Sequence, residues 1–229
     1  MNDSRSRLVT VAHGTRKSGG NEVAREITIA AGLALGVEAV CSYVELSAPL
    51  FEDVVAADDA PTVVVPLLLS TGFHLRQDLP RMAQAAAGPL VLGRPLGPHH
   101  LVAQAQLDQL ARAGARPGDG RLVLVAAGSS DPLATRDLTR AAELLGRLWG
   151  GPVEVATLSA LGRRPAEVVR RDDIVTPYLL SPGFFADRAR EESHAAGAAM
   201  VADVIGPHPL VVDLVVQRTH ALENVRQSA

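Results

Sequence analysis

The chain is 229 residues long, 47% hydrophobic and 21% charged, the make-up of a globular protein of one or two domains, which excludes disorder, collagen and coiled coil. Its 25 acidic and 22 basic residues leave a net charge of −3, so the balance announces no nucleic-acid partner. The single cysteine, Cys41, can build neither an internal disulfide nor a cysteine-rich metal site, usage that fits the cytoplasm.

In chain order, Leu8-Val-Thr-Val-Ala12 is too short an apolar run for a signal peptide and reads as a strand entering a small-residue turn at Gly14. Lys17, the sole lysine, does not sit in G-x-x-x-x-G-K-[ST], so no ATP-driven chemistry of that type is expected. Strands are expected near 7–12, 38–44, 62–69 and 90–92, each followed by a helical segment, and again near 121–126, 152–157, 173–180 and 210–212. No run approaches the roughly 20 apolar residues that span a bilayer, so no membrane partner is expected. Strand and helix alternating in this way predict an α/β fold, with parallel sheets covered by helices on both faces. The Gly-rich stretch from Ala111 to Gly120 reads as a linker between two domains, 1–113 and 114–229.

The two halves match each other. Leu8-Val-Thr-Val-Ala-His-Gly-Thr15 lies over Leu122-Val-Leu-Val-Ala-Ala-Gly-Ser129 at an offset of 114. Pro66-Leu-Leu-Leu-Ser-Thr-Gly-Phe73 lies over Pro177-Tyr-Leu-Leu-Ser-Pro-Gly-Phe184 at 111, and Gly97-Pro-His over Gly206-Pro-His at 109. An internal duplication explains all three, and it supplies a control: what both halves keep is scaffold, and what one half keeps alone is a candidate for chemistry.

Three polar residues pass that test. His13 follows the first strand, Glu45 the second and His74 the third, while the second half has Ala127, an acid-free stretch from Ala156 to Leu161, and Phe185. In a doubly wound parallel sheet, strand carboxyl ends near the switch point of strand order form the ligand crevice, so three residues distant in sequence can converge there. Two imidazoles and a carboxylate suit Fe²⁺, Co²⁺, Ni²⁺ or Zn²⁺ and leave coordination positions open. Each histidine alone could equally cap a helix or bond a loop carbonyl. Gly14 and Gly128 are kept in both halves, which points to a backbone role, and His99 and His208, in paired Gly-Pro-His turns, read as structural.

Val11-Ala-His-Gly-Thr-Arg16, Tyr43-Val-Glu-Leu-Ser-Ala-Pro49 and the run from Val65 through Ser70-Thr-Gly-Phe-His74 to Pro80 resemble the three motifs of the CbiX/SirB family of sirohydrochlorin chelatases. The resemblance implies two chelatase-like α/β domains and ATP-independent insertion of a divalent metal, Fe²⁺, Co²⁺ or Ni²⁺, into sirohydrochlorin. It also implies His13, Glu45 and His74 as metal ligands. Thr15 stands where a serine is common in the family and keeps the hydroxyl. The ligand-poor second half resembles long members whose one active site is in the first half.

Metal insertion removes two pyrrole protons, and a histidine, which exchanges protons near neutral pH, suits that step. Either His13 or His74 could accept them, with Glu45 balancing the charge of the ion. Arg16 and Arg76 are candidates to hold the carboxylates of the macrocycle, with Arg81 nearby, and Phe185 beside Phe184 is a candidate apolar contact for its plane. A protein that carries metal or tetrapyrrole without turnover would use the same ligands. A histidine phosphatase also begins with a strand ending in His-Gly, but needs an arginine before that histidine, where this chain has Ala12. The duplication supplies two lobes within one chain, and a monomer is expected.

Overall fold

The computed structural model describes residues 6–17, 19–72 and 74–227, with side chains as far as Asn224 at the C-terminal end; Phe73, matched above to Phe184, lies outside the described residues. In the first half the strands are β1 (Arg7–Ala12), β2 (Ala39–Tyr43), β3 (Thr62–Pro66) and β4 (Leu90–Leu92), all parallel in the order β2-β1-β3-β4. The second half repeats this with β5 (Leu122–Ala126), β6 (Val153–Thr157), β7 (Ile174–Tyr178) and β8 (Met200–Val201), in the order β6-β5-β7-β8. The α/β class and the duplication expected from the sequence are borne out.

One strand differs from expectation. The fourth strand of the second half is β8 at Met200–Val201, whereas residues 210–212 lie in a helix. The 109-residue offset of the Gly-Pro-His turns, applied to Leu90–Leu92, leads to this place. The apolar Leu210-Val-Val212 run is instead part of a helix opened by Pro209, whose fixed φ suits a first helical turn.

Alternation explains why the central strands are buried on both faces. In the first half α1 (Glu22–Leu35) covers one face, where the Thr28 hydroxyl meets that of Thr10. On the opposite face Val9, Val11 and Val64 pack against Phe51 and Val55 of α2 (Phe51–Ala56) and against Leu79 and Met82 of α3 (Leu79–Met82). In the second half Val123, Val125 and Val175 pack with Val168 of α6 (Pro165–Val168) and Ala189 of α7 (Phe184–Ala195). The other face, carrying Leu122 and Ile174, meets Leu145 and Trp149 of α5 (Pro132–Trp149). Arginines, Arg7 buried and Arg121 half-buried, brace both amino-terminal edges. Arg7 pairs with Asp58 at 2.9 Å, and Arg121, its counterpart, pairs with Asp173.

The remaining helices, α4 (His100–Arg112) and α8 (Pro209–Gln227), do not stay with their own halves. Ala103 and Leu110 of α4 share a core with Leu122, Leu145, Trp149 and Ile174. Leu222 of α8 instead lies so close to Gly93, beside β4, that a Cβ there would sit 2.8 Å from its Cδ1. The chain accordingly forms two compact units, one of Met1–Leu68, Phe73–Leu96 and Val211–Ala229, the other of Leu69–Gly72 and Gly97–Leu210. Compactness cuts the chain elsewhere than the linker read from the sequence, because the terminal helix of each half packs with the sheet of the other half. Leu69–Gly72 is held in the second unit by Tyr178, whose hydroxyl donates to the Leu69 carbonyl at 2.9 Å, and by the Thr71 amide, which donates to Asp137 at 2.7 Å. Burial, with the Asp137 charge, raises the Tyr178 phenol far above its ordinary range, so it stays a neutral donor. Among the described residues no helix is long and apolar enough to cross a membrane.

Candidate metal centre

In the first unit the direction of strand addition reverses between β1 and β3, and that reversal marks where a ligand crevice opens at the carboxyl edge. The β1–β2 ladder runs on past both strands, the Val44 amide donating to the Ala12 carbonyl at 2.9 Å and the Glu45 amide to the His13 carbonyl at 3.2 Å. The next step of the ladder requires Gly14. Its φ is +95°, and a Cβ there would lie 1.9 Å from the Glu45 carbonyl oxygen. A side chain-free residue thus lets the two loops touch, and His13 and Glu45 emerge side by side with Nε2 and Oε1 3.5 Å apart.

Asn21, just before α1, fixes the same two loops with its side chain. Its Oδ1 accepts from the Thr15 amide at 3.1 Å, while Nδ2 donates to the Thr15 carbonyl at 3.0 Å and to the Ser47 hydroxyl at 2.9 Å. Thr15 follows His13 by two residues and Ser47 follows Glu45 by two, so a single amide ties together the segments that carry both side chains.

His74 arrives from β3 and opens a five-residue π turn, His74–Asp78. Its ring stands edge-on to that of His13, with centroids 4.6 Å apart and planes at 89°. Nδ1 lies 2.7 Å from Asp78 Oδ2, four residues on, a contact that fixes the plane of the ring. One donor atom from each of His13, Glu45 and His74 falls within 4.8 Å of the other two, and the three side chains are 45%, 50% and 31% exposed. A set that close and that open can grip a divalent cation while leaving other coordination positions for a second ligand.

The second unit has the same backbone without the donors. Gly128 has φ +92°, and a Cβ on it would come within 2.1 Å of the Ser159 carbonyl. Leu46 and Ala160, each following one of these carbonyl residues, both have positive φ, 64° and 52°. The residues matching His13 and Glu45 are therefore Ala127 and Ser159, joined only by a bond from the Ser159 hydroxyl to the Ala127 carbonyl at 2.7 Å. Among the described residues the three-donor group occurs once.

The other candidates fall into two sets. Arg16 and Arg76 are exposed, one in the loop after β1 and the other within the π turn. Phe185 is partly buried and packs on the core formed by Val123, Val175 and Val168, whereas Phe184 is 63% exposed with the Arg188 guanidinium 5.6 Å from its ring centre. His99 and His208 each accept, through Nδ1, the amide two residues on at 3.3 Å at the start of α4 and α8, a capping role. Asp78 and Asn21 were not singled out from the sequence. The His-x-x-x-Asp spacing carried a signal for Asp78, since residues four apart meet on a helical turn. Asn21 looked like an ordinary residue before a helix, and it caps nothing.

Comparison with known proteins bears on this geometry directly. The CbiX family model matches residues 7–113 and, a second time, residues 121–222. The chain belongs to the CbiX family. It is 30% identical to the sirohydrochlorin ferrochelatase of Bacillus subtilis (strain 168), over 92% of this chain and 89% of that one. Among solved structures it resembles SirB from Bacillus subtilis with Fe³⁺, with a TM-score of 0.81, 26% identity, and coverage of 97% of this chain and 98% of that one. It also resembles the sirohydrochlorin chelatase SirB from Bacillus subtilis subspecies spizizenii in complex with cobalt, with a TM-score of 0.77, 25% identity and 97% of both chains covered. The family resemblance read from the motifs around His13, Glu45 and His74, and the chelatase class that came with it, are borne out for this CbiX-family chain.

Proposed function

We propose that this chain inserts Fe²⁺ into sirohydrochlorin to give siroheme, without ATP, and that the same site accepts Co²⁺ or Ni²⁺. The observation that carries the reading is the convergence of His13, Glu45 and His74 donor atoms within 4.8 Å, beside a duplicated backbone that lacks all three. The relatives named for iron and cobalt support a metal substrate of this class.

In this reading His13 and His74 hold the incoming ion and Glu45 offsets its charge. The Asp78 carboxylate at Nδ1 of His74 turns the opposite ring nitrogen toward the ion, the arrangement by which carboxylates orient metal-binding imidazoles. As the macrocycle nitrogens replace the protein ligands one at a time, the released imidazole takes up a pyrrole proton, so ligand loss and proton removal are the same event. Two such proton transfers complete the exchange of two N–H bonds for bonds to the metal. Arg16 and Arg76 supply cations for the carboxylates of the macrocycle at the rim of the site. Residues 1–113 carry the chemistry, and residues 114–229 carry none of the ligands.

The test is insertion of Fe²⁺ and Co²⁺ into sirohydrochlorin under anaerobic conditions without nucleotide, followed by the visible spectrum. A rate well above the spontaneous one is expected. Binding of metal and macrocycle with no acceleration for Fe²⁺, Co²⁺ or Ni²⁺ would replace the enzyme by a carrier.

Phe184 and Phe185 open α7 side by side and differ in burial, the first being exposed and the second packed on the core. Phe185→Ala is expected to cost about 2–4 kcal/mol of stability, since it opens a space against a packed core. Phe184→Ala, at an exposed position, should leave the melting temperature nearly unchanged. Equal melting temperatures for the two variants would contradict this division.

A further inference from the structure

The carboxyl edge of the first unit holds a second feature that the metal site does not use. Arg218, on α8, is 9% exposed, and its Nε is buried with no hydrogen-bond partner. Its one bond is a long one, from Nη2 to the Pro95 carbonyl at 3.4 Å. Burial and, after it, the charge of Arg94, another cation, lower the pKa of Arg218, and among the described residues no carboxylate offsets either effect. A buried, unpaired guanidinium is costly to maintain, and its retention calls for a compensating anion.

The duplication states which part of this arrangement is scaffold. At the 109-residue offset the counterpart of Arg218 is Gln109, whose Nε2 donates to the Ile205 carbonyl at 2.8 Å. A neutral amide therefore suffices to tie the terminal helix to the loop after the last strand. The counterpart of Arg94 is Asp203, which is satisfied by Arg190 at 2.7 Å. Where the ligand-free half has a neutral residue and a paired acid, the metal-bearing half has two cations and no acid.

Their location suits a substrate of known shape. Arg94 follows β4 by two residues and so lies on the same edge as His13, after β1, and His74, after β3. Two strand spacings separate β4 from β1, about 10 Å. That is the reach of a carboxylate arm from the centre of a tetrapyrrole. We propose that Arg218 and Arg94 form the receptor for one carboxylate of the macrocycle, with Arg218 as the buried fork and Arg94 as the exposed arm that meets the anion first. This rests on the chelatase reading and adds to it the point that fixes the rotation of the macrocycle about the metal.

The experiment measures the Kd of sirohydrochlorin and of its fully methyl-esterified form, with Co²⁺ affinity and melting temperature alongside, on the wild type, Arg218→Gln and Arg94→Gln. Arg218→Gln restores the neutral residue of the other half and keeps a donor for Pro95, so its melting temperature should hold or rise. Each variant is expected to bind sirohydrochlorin about tenfold more weakly or worse, the scale of a lost charge-assisted bond. The ester should bind variants and wild type alike, and Co²⁺ affinity should not move. If Arg218→Gln failed to fold, the exposed Arg94→Gln would still carry the measurement. Unchanged sirohydrochlorin affinity in the folded variants, or an equal loss for the ester, would overturn the receptor alone. A wild-type protein that takes up Co²⁺ but binds no sirohydrochlorin would overturn the chelatase reading itself.

Discussion

His13→Ala and His74→Ala are each expected to reduce metal insertion to the spontaneous rate while leaving stability within about 1 kcal/mol, because both side chains are substantially exposed and belong to no core. In the proposed reading three donors hold the ion, so the loss of one imidazole leaves a pair too weak to compete with water. Glu45→Gln keeps the shape of the site and removes its negative charge, and should slow insertion less than either alanine variant. The measurement is insertion rate together with thermal unfolding on the same preparations. If both histidine variants unfolded, the residues would be structural, and the bond from Asp78 to His74 would be a helical staple only.

Gly14→Ala should be more severe than its single methyl group suggests. That methyl would lie 1.9 Å from the Glu45 carbonyl oxygen on a residue with φ +95°. Backbone strain and overlap together are expected to cost about 2–4 kcal/mol. Relief requires the two loops to separate, which takes Glu45 away from His13, so metal affinity should collapse along with stability. Gly128→Ala is the matched control: the clash there is with Ser159 at 2.1 Å and φ is +92°. Comparable destabilisation is expected, with Co²⁺ affinity retained in the folded fraction. Loss of metal binding in both variants would show that the effect is global unfolding, and that the contact of Gly14 with Glu45 has no special bearing on the site.

The sheets and the candidate ligands stood out for different reasons. Strands such as Leu122–Ala126, fully buried between helices, must be apolar along their whole length, and that pattern survives in a single sequence. His13, Glu45 and His74 stood out as candidates because each follows a strand and each disappears from the duplicate. Two things were hidden. The apolar stripe of α4 or α8 records that the helix is buried but not on which sheet, so the exchange between halves left no local mark. Polar partners such as Asn21 with Ser47, or Arg218 with the Pro95 carbonyl, are joined only by folding, and nothing in their spacing announces it. Phe184 and Phe185 illustrate the same limit: adjacent and chemically identical, they are divided into surface and core by the phase of a helix that begins at that residue.

The exchange of terminal helices also orders the birth of the molecule. The second unit is assembled from Leu69–Gly72 and Gly97–Leu210, so every segment it needs has been synthesised before α8 grows past its first two residues. The first unit, which holds the candidate donors His13, Glu45 and His74, must wait for that last helix to supply Leu222 against Gly93 and Arg218 against Pro95. The half made first on the ribosome is the half finished last. For the same reason the second copy is no dispensable remnant of the duplication, since a chain cut between the repeats would leave the sheet that carries His13, Glu45 and His74 without its closing helix.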